Sequence, residues 1–244
     1  MKIAIVIPAL DEALAIREVV SDTLALGHPV YVVDDGSRDG TGAAIADLPV
    51  TVVRHERTLG TGQSLKDGFA AALADGATAV VTLDGDGQHA AADVPRRVAA
   101  HLRSPTARVL CARTQRLGPR PALRHFANAF ADFWVSWACG VRVLDSQCGQ
   151  RLYPRALIES VALPASGGFT FESEILIEAA RAGFPIAGVP IFARYHAGRR
   201  PSHFRPVADI LKITRMVAWK LARRGMFLGG LVRSRARGPI LIDS

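Results

Sequence analysis

Residues 79–88 read Ala-Val-Val-Thr-Leu-Asp-Gly-Asp-Gly-Gln. The first half is apolar and β-prone, and the second half is a polar turn with carboxylates at 84 and 86 and an amide at 88. A short apolar run ending abruptly in such a turn reads as a buried strand that stops at a ligand-facing edge. The same grammar recurs upstream. Residues 3–7 (IAIVI) run into Asp11-Glu12, residues 30–33 (VYVV) run into Asp34-Asp35, and residues 50–53 form a further run. Helical spacing fills the gaps: Ala13, Ile16, Val19, Val20 and Leu24, then residues 41–48, then residues 62–74. Strands of four or five apolar residues alternating with helices predict an α/β domain, its mostly parallel sheet covered by helices on both faces. In such sheets ligands bind beyond the carboxyl ends of the strands. Three acidic clusters therefore converge on one edge.

Beyond residue 105 the pattern loosens. Residues 109–111 read as a strand and residues 123–138 as a helix whose Phe126, Phe130, Phe133, Trp134 and Trp137 form a core stripe. A helix follows over 171–182, with acids at 172, 174 and 178, and then a strand over 186–192. The 244 residues (26.1 kDa, 49% hydrophobic) suffice for one large domain or two small ones and exclude global disorder. No apolar run reaches the length of a membrane span. The N-terminus lacks the h-region and cleavage site of a signal peptide. Three cysteines without a C-x-x-C pair argue against a disulfide framework or zinc ribbon and suit a reducing cytosol.

Charge is concentrated at one end. The net charge is +8, yet residues 194–237 carry twelve Lys or Arg against one acid, Asp209. Residues 1–193 are near neutral; the domain is expected over 1–205, followed by a basic amphipathic C-terminal helix and tail over 206–244. Such a tail suits a polyanion: nucleic acid, an anionic membrane face or a phosphorylated substrate.

Asp84, Asp86 and Gln88 offer hard oxygen ligands to Mg²⁺ or Mn²⁺, and the intervening glycines let the backbone draw them together. A cation there bridges nucleotide phosphates and neutralises a departing diphosphate. Asp34 and Asp35 can hydrogen-bond base and ribose, while Asp39 or Thr41 can cap the helix expected over 41–48. The phosphate loop G-x-x-x-x-G-K-[ST], a complete G-x-G-x-x-G, the G-x-S-x-G elbow and a metal-spaced His pair are all missing.

IPALDE, VDDGSRDGT, LGTGQSLKDGF, TLDGDGQH and DSQCGQRLY occur in that order. Together they resemble the family 2 glycosyltransferases, most closely the dolichyl- or polyprenyl-phosphate sugar synthase branch. The resemblance covers roughly residues 3–205. It implies the A-type glycosyltransferase fold, a nucleotide-sugar donor of the GDP-mannose or UDP-glucose type, and a divalent metal. It places Pro8 and Glu12 in the donor pocket, Asp34 and Asp35 near base and ribose, and Asp84, Asp86 and Gln88 on the metal. Arg113 and Arg124 match arginines that contact phosphate. A third such arginine falls among Arg194, Arg199 and Arg200, with Arg199 the assigned donor contact and His203 standing where the family has Lys. Leu10-Asp11 replaces Tyr-Asn, Gly85 replaces Ala, and Gln150 replaces Phe. The missing Q-x-x-R-W argues against a processive polymerase.

The expected reaction is inverting transfer to a lipid-linked acceptor. A lipid phosphate is already ionised and needs no base. A lipid hydroxyl needs one, for which Asp145, Glu172 and Glu174 are candidates. On a helical wheel from Pro206, Val207, Ile210, Leu211, Thr214, Val217, Ala218 and Leu221 share one side and Lys212, Arg215, Lys220 and Arg223 the other. That pattern suits a helix lying on an anionic membrane surface, and a cytoplasmic protein held peripherally at the inner face of the membrane. Two other classes compete. A nucleic-acid-binding module would use the basic tail, but the acidic strand ends repel phosphates. A nucleotidyltransferase would need a glycine-rich basic N-terminal loop, which the chain lacks. The sequence carries no signal of oligomeric state.

Overall fold

The computed structural model describes residues 1–87, 91–103, 109–110, 115–117, 122–161, 163, 170–189, 192–194 and 206–242. The expected alternation appears at once: β1 (Ile3–Ala9), α1 (Ile16–Leu24), β2 (Val30–Asp34), β3 (Thr51–Arg54), α2 (Thr61–Ala74), β4 (Ala79–Thr82) and α3 (Val94–Arg103). The second half supplies β5 (Val109–Leu110), β6 (Gln115–Leu117), α4 (Ala122–Cys139), β7 (Arg151–Pro154), α5 (Arg155–Ser160) and α6 (Thr170–Arg181). It ends with β8 (Ile186–Ala187), β9 (Phe192–Arg194), α7 (Pro206–Ala222) and α8 (Leu228–Ala236).

Seven strands make one sheet in the order β3-β2-β1-β4-β7-β5-β8, parallel except for β7, which runs against both neighbours. Because β1–β4 are parallel, their carboxyl ends share an edge; Ala9 pairs with Asp34, and Asp34 with Arg54. The antiparallel β7 starts where β4 stops, with Thr82 opposite Arg151. The loop feeding β7 thus lies beside the loop leaving β4.

β1, β2, β4 and β7 are buried on both faces, so alternate residues build separate cores, whereas the edge strand β3 is largely exposed. Ile3, Ile5, Ile7, Val30, Val32 and Val81 pack under α1 and α3. Ala4, Val6, Tyr31, Val33, Val80 and Tyr153 pack under α2, α4, α6 and α7. At Gly68 of α2, an added Cβ would lie 2.4 Å from Val6 Cγ1, so only glycine lets that helix settle on the sheet.

Two expected elements differ. Residues 41–48 hold only a single 3₁₀ turn, Ala43–Ile45. So short a segment gains too few hydrogen bonds to offset helix nucleation, and Gly42 lies against Arg54 and Asp34. The strand expected over 186–192 is two: β8 joins the main sheet, whereas β9 pairs with β6 in a separate two-stranded sheet.

The basic helix α7 is docked on the domain. Ile213, Val217 and Leu221 enter the core with α4 and α6. Lys220 bridges Glu174 at 2.8 Å and Glu178 at 2.6 Å on α6. Val217 and Leu221, expected on a membrane-facing stripe, point inward. Met226 (φ 64°) and Phe227 (φ 43°) turn the chain into α8, and the Trp137 indole N–H donates to both of their carbonyls. Trp134 and Trp137 stack at 5.3 Å, as the core stripe requires, but Phe130 and Phe133 stay partly exposed. The chain then returns to β8: Gly188 N–H donates to Ile240 O, and Ile242 N–H to Gly188 O. Among the described residues no helix is long and apolar enough to cross a membrane.

Candidate active site

The first wall of the sheet edge is two loops locked together. The Asp11, Glu12 and Ala13 amides donate to Ser37 Oγ, Thr41 Oγ1 and Asp39 Oδ2 at 3.0, 2.8 and 3.0 Å, and Arg38 N–H returns to Asp11 Oδ1 at 2.9 Å. Asp39 and Thr41 thus tie the β1 loop to the β2 loop; neither makes a side-chain cap at that 3₁₀ turn. Burial works against ionising Asp39, but hydrogen bonds from Thr41 and Ala13 outweigh it and hold its carboxyl below the usual range. Pro8 and Glu12, the expected donor-pocket residues, lie half-exposed along this wall.

Asp34 and Asp35 are buried at the end of β2 and committed to protein donors. Asp34 accepts from Ser37 N–H and from Arg54. Asp35 accepts from the Leu59 and Gly60 amides, both at 2.8 Å, and its Oδ1 lies 2.7 Å from His55 Nδ1. The far side of that ring, Nε2, lies 3.0 Å from Asp67 Oδ2. The two acids therefore hold the start of α2 and the β3 loop in place. His55 and Asp67 were not singled out in the sequence. The available signal was a histidine one residue past the end of β3.

Asp84 and Asp86 sit half-exposed just past β4. Gly85 between them is buried, and a Cβ there would lie 3.1 Å from Pro8 O, a tight contact with the β1 backbone. Opposite stands the 145–149 loop. A Cβ at Gly149 would fall 2.2 Å from Asp84 Oδ1, so the carboxylate rests directly on that backbone. Thr82 Oγ1 donates to Gly149 O at 2.5 Å and fixes the contact.

That loop is held from below. Arg151, fully buried, donates to the carbonyls of Cys148 (2.8 Å), Ser146 (2.6 Å) and Glu172. Asp132 on α4 accepts from the Asp145 and Ser146 amides at 3.2 and 2.7 Å, which steadies Asp145 in a left-handed conformation (φ 53°). Burial raises the Asp132 carboxyl, Ser146 opposes the shift, and the charge of Asp145 adds to it. Glu172 is buried beside Arg151, its Oε2 without a hydrogen-bond partner among the described residues. Burial pushes its carboxyl up and Arg151 only partly counters. Glu174, two residues along α6, is engaged with Lys220 instead, so the structure directs it away from the role of base.

Of the other expected residues, Gln88, Arg113, Arg199, Arg200 and His203 lie outside the described residues. Arg124 falls in the first turns of α4, and Arg194 ends β9. Among the described residues no three His, Cys, Asp or Glu gather as a metal cluster. Two carboxylates at a strand end do match magnesium's habit of taking one or two protein carboxylates and completing its shell with water and substrate phosphates. The donor set therefore fits a hard divalent cation.

Residues 4–159 match the sequence profile described as Glycosyl transferase family 2. The polyprenol monophosphomannose synthase of Mycolicibacterium smegmatis is 33% identical over 176 residues, 66% of this chain and 65% of that enzyme, so the match spans just under two thirds of its length. The undecaprenyl-phosphate mannosyltransferase of Micrococcus luteus is 29% identical over 208 residues, 80% of this chain and 83% of its own. Among solved structures, glucosyl-3-phosphoglycerate synthase from Mycobacterium tuberculosis, in complex with Mn²⁺, UDP-glucose and phosphoglyceric acid, superposes with a TM-score of 0.70. It is 25% identical, over 92% of this chain and 80% of that one.

Proposed function

We propose, because the chain belongs to the family 2 glycosyltransferases, that it moves a sugar from a nucleotide-diphosphate sugar to a polyprenyl phosphate, with inversion at the anomeric carbon. The observation that carries this reading is the contact of Asp84 with Gly149, which seats the strand-end carboxylate against the loop of the second half-sheet. The edge also gathers Asp11, Asp34, Asp35 and Asp86. Such an edge repels a diphosphate unless a cation stands between them. Asp84 and Asp86 would hold it, with Gln88 as a further oxygen; Mg²⁺ or Mn²⁺, when bound, neutralises the charge that builds on the departing diphosphate.

The chain's own residues do the rest. The interlocked loops at Asp11–Ala13 and Ser37–Thr41 form the donor wall, with Pro8 and Glu12 along it. Asp34 and Asp35 shape the base and ribose end of the pocket by holding the loops after β2 and β3. Arg113, Arg124 and Arg199 take the phosphates. The acceptor phosphate oxygen attacks the anomeric carbon as the bond to the diphosphate oxygen breaks, so no proton needs to move. Stabilisation of the leaving group is worth more in the transition state than in the ground state. The names of the two lipid-phosphate relatives support this acceptor class.

A hydroxyl acceptor is the second reading, favoured by Glu172. A carboxyl whose affinity for protons is raised by burial is a better proton acceptor than an ordinary one. The test is the purified protein with labelled UDP-glucose or GDP-mannose, Mg²⁺ or Mn²⁺, and polyprenyl phosphate. The expected result is label in the organic phase, abolished by Asp86→Ala. No transfer and no donor hydrolysis with either donor would overturn the proposal. Transfer to a polyprenol but not to its phosphate would select the second reading.

A further inference from the structure

With α7 docked through Ile213, Val217 and Leu221, its opposite side faces solvent. That side is not polar. Leu211 is 66% and Trp219 65% exposed, and on α8 Leu228 is 64% and Val232 66% exposed. Large apolar groups so fully exposed on two consecutive helices stand apart from the scattered single exposures normal on any surface. Arginines share the surface: Arg223 lies over the Trp219 ring at 5.9 Å, and Arg235 of α8 over Phe133 at 5.5 Å. Arg215 is exposed between Leu211 and Trp219. From 206 to 242 the sequence offers Asp209 as its one acid.

We infer that the solvent faces of α7 and α8 form a docking surface for an anionic lipid bilayer. Aliphatic and indole groups enter the boundary between headgroups and acyl chains, while arginines reach anionic headgroups. The charge of the surface is complementary to such a leaflet. Nucleic acid suits it less, because Leu211, Leu228 and Val232 have nothing to gain from a phosphodiester chain. The inference takes its purpose from the reading of a membrane-borne acceptor, but its support is independent of that reading. On α7 the exposed apolar groups are Leu211, at the edge of the stripe a wheel of the isolated helix selects, and Trp219, outside it; the middle of that stripe, Val217 and Leu221, is buried in the core. Lys220, clamped between Glu174 and Glu178, anchors α7 to α6 and takes no part in the docking.

Vesicle co-sedimentation without donor or metal tests this, comparing phosphatidylcholine alone with phosphatidylcholine mixed with phosphatidylglycerol. The intact protein is expected to sediment only with the anionic vesicles, less so as salt rises. A variant carrying Leu211→Ser, Trp219→Ser, Leu228→Ser and Val232→Ser keeps every charge and is expected to lose binding at least tenfold. Arg215→Gln with Arg223→Gln and Arg235→Gln is expected to lose about fivefold per arginine. All seven positions are exposed, so an unchanged thermal midpoint certifies the fold. The inference is overturned if the intact protein ignores anionic vesicles, if the serine variant binds as the parent does, or if duplex DNA is bound and vesicles are not. Sugar transfer to a short, water-soluble polyprenyl phosphate, measured separately, is expected to survive in both variants. Failed sedimentation with intact transfer rejects the surface alone; failed transfer with intact sedimentation rejects the enzymatic reading alone.

Discussion

Gly149→Ala is the sharpest probe of the site, because one methyl group meets one carboxylate. The backbone there is not in the left-handed region, so alanine brings no conformational strain. Its Cβ would sit 2.2 Å from Asp84 Oδ1 and 2.8 Å from Asp84 Cγ, where ordinary contact begins at 3.4 Å. The carboxylate oxygen must retreat by about 1.2 Å. It can do so by rotating away, since it is the end of a side chain, and the fold is then undisturbed. Gly→Ala at a permissive position even adds about 0.4–1 kcal/mol of stability through the unfolded chain. Metal geometry has no such latitude, because ligand distances hold to about 0.2 Å. Altering what supports a ligand typically costs about 10–100-fold in metal affinity, which corresponds to about 1.4–2.8 kcal/mol. The assay is the Mn²⁺ concentration that half-saturates donor-dependent thermal stabilisation, read beside the melting temperature without ligand. The expected outcome is a half-saturation point raised about 10–100-fold with the ligand-free melting temperature kept. In the double variant with Asp84→Ala the two effects must not add, because both act through one carboxylate. Unchanged metal dependence in Gly149→Ala, or full additivity with Asp84→Ala, would refute the reasoning.

Three further outcomes follow from the same contacts. Glu172 has its proton affinity raised by burial, so the folded protein holds that proton to higher pH than the unfolded chain, and stability falls as pH climbs from the ordinary carboxylate range of about 4 through the raised folded value. Glu172→Gln should therefore raise the melting temperature at pH 7.5 and leave it nearly unchanged at pH 4; equal gains at both would contradict this account. Arg151→Ala strips donors from three buried carbonyls and opens a cavity, so urea unfolding should show a loss of about 3–5 kcal/mol, with a smaller loss placing the 145–149 loop under other control. Burial alone would lower the Lys220 ammonium, but the hydrogen bonds it donates to the Glu174 and Glu178 carboxylates, with their charge, more than compensate and raise it. Its contribution is then complete below about pH 10.4 and lost as pH rises through the folded value. Lys220→Met should cost about 1–2 kcal/mol at pH 7, a gap that closes in strong alkali; a gap constant to high pH would count against the ion pairs.

The parallel half of the molecule was legible because its signals are local. A strand buried on both faces must be continuously apolar, and its end must turn polar, so IAIVI, VYVV and AVVTL announced both the sheet and the edge that carries Asp11, Asp34 and Asp84. The errors arose where the outcome depended on partners distant in sequence. Residues 41–48 have helical composition, but Asp34 and Arg54 crowd Gly42, and a turn results. Residues 186–192 look like one strand, yet Gly188 pairs with the returning C-terminal stretch and Phe192 with β6. The α7 wheel showed a helix with two unlike faces. It could not show that α4 and α6 would claim Ile213, Val217 and Leu221 and leave Trp219 outside.

The candidate site divides the same way. Residues that act by being displayed, Asp84 and Asp86 above all, were visible from their place past a strand. Residues that act by holding backbone were not. Nothing in DSQCGQRLY marks Arg151 as the donor to three carbonyls, nor in FADFW marks Asp132 as the acceptor for two amides. Yet these two fix Gly149 against Asp84, and without that backbone the carboxylate could turn to solvent. An acidic strand end alone is an ordinary turn. Here an antiparallel strand brings a second loop down on it, with Thr82 fastening the two, and the proposed cation site rests on that arrangement. On the proposed reading, a cation site at this edge depends as much on the register of β7 as on the two aspartates. Slipping that register by one residue would turn Arg151 to the opposite face of the sheet and dissolve the site with every ligand still in the sequence.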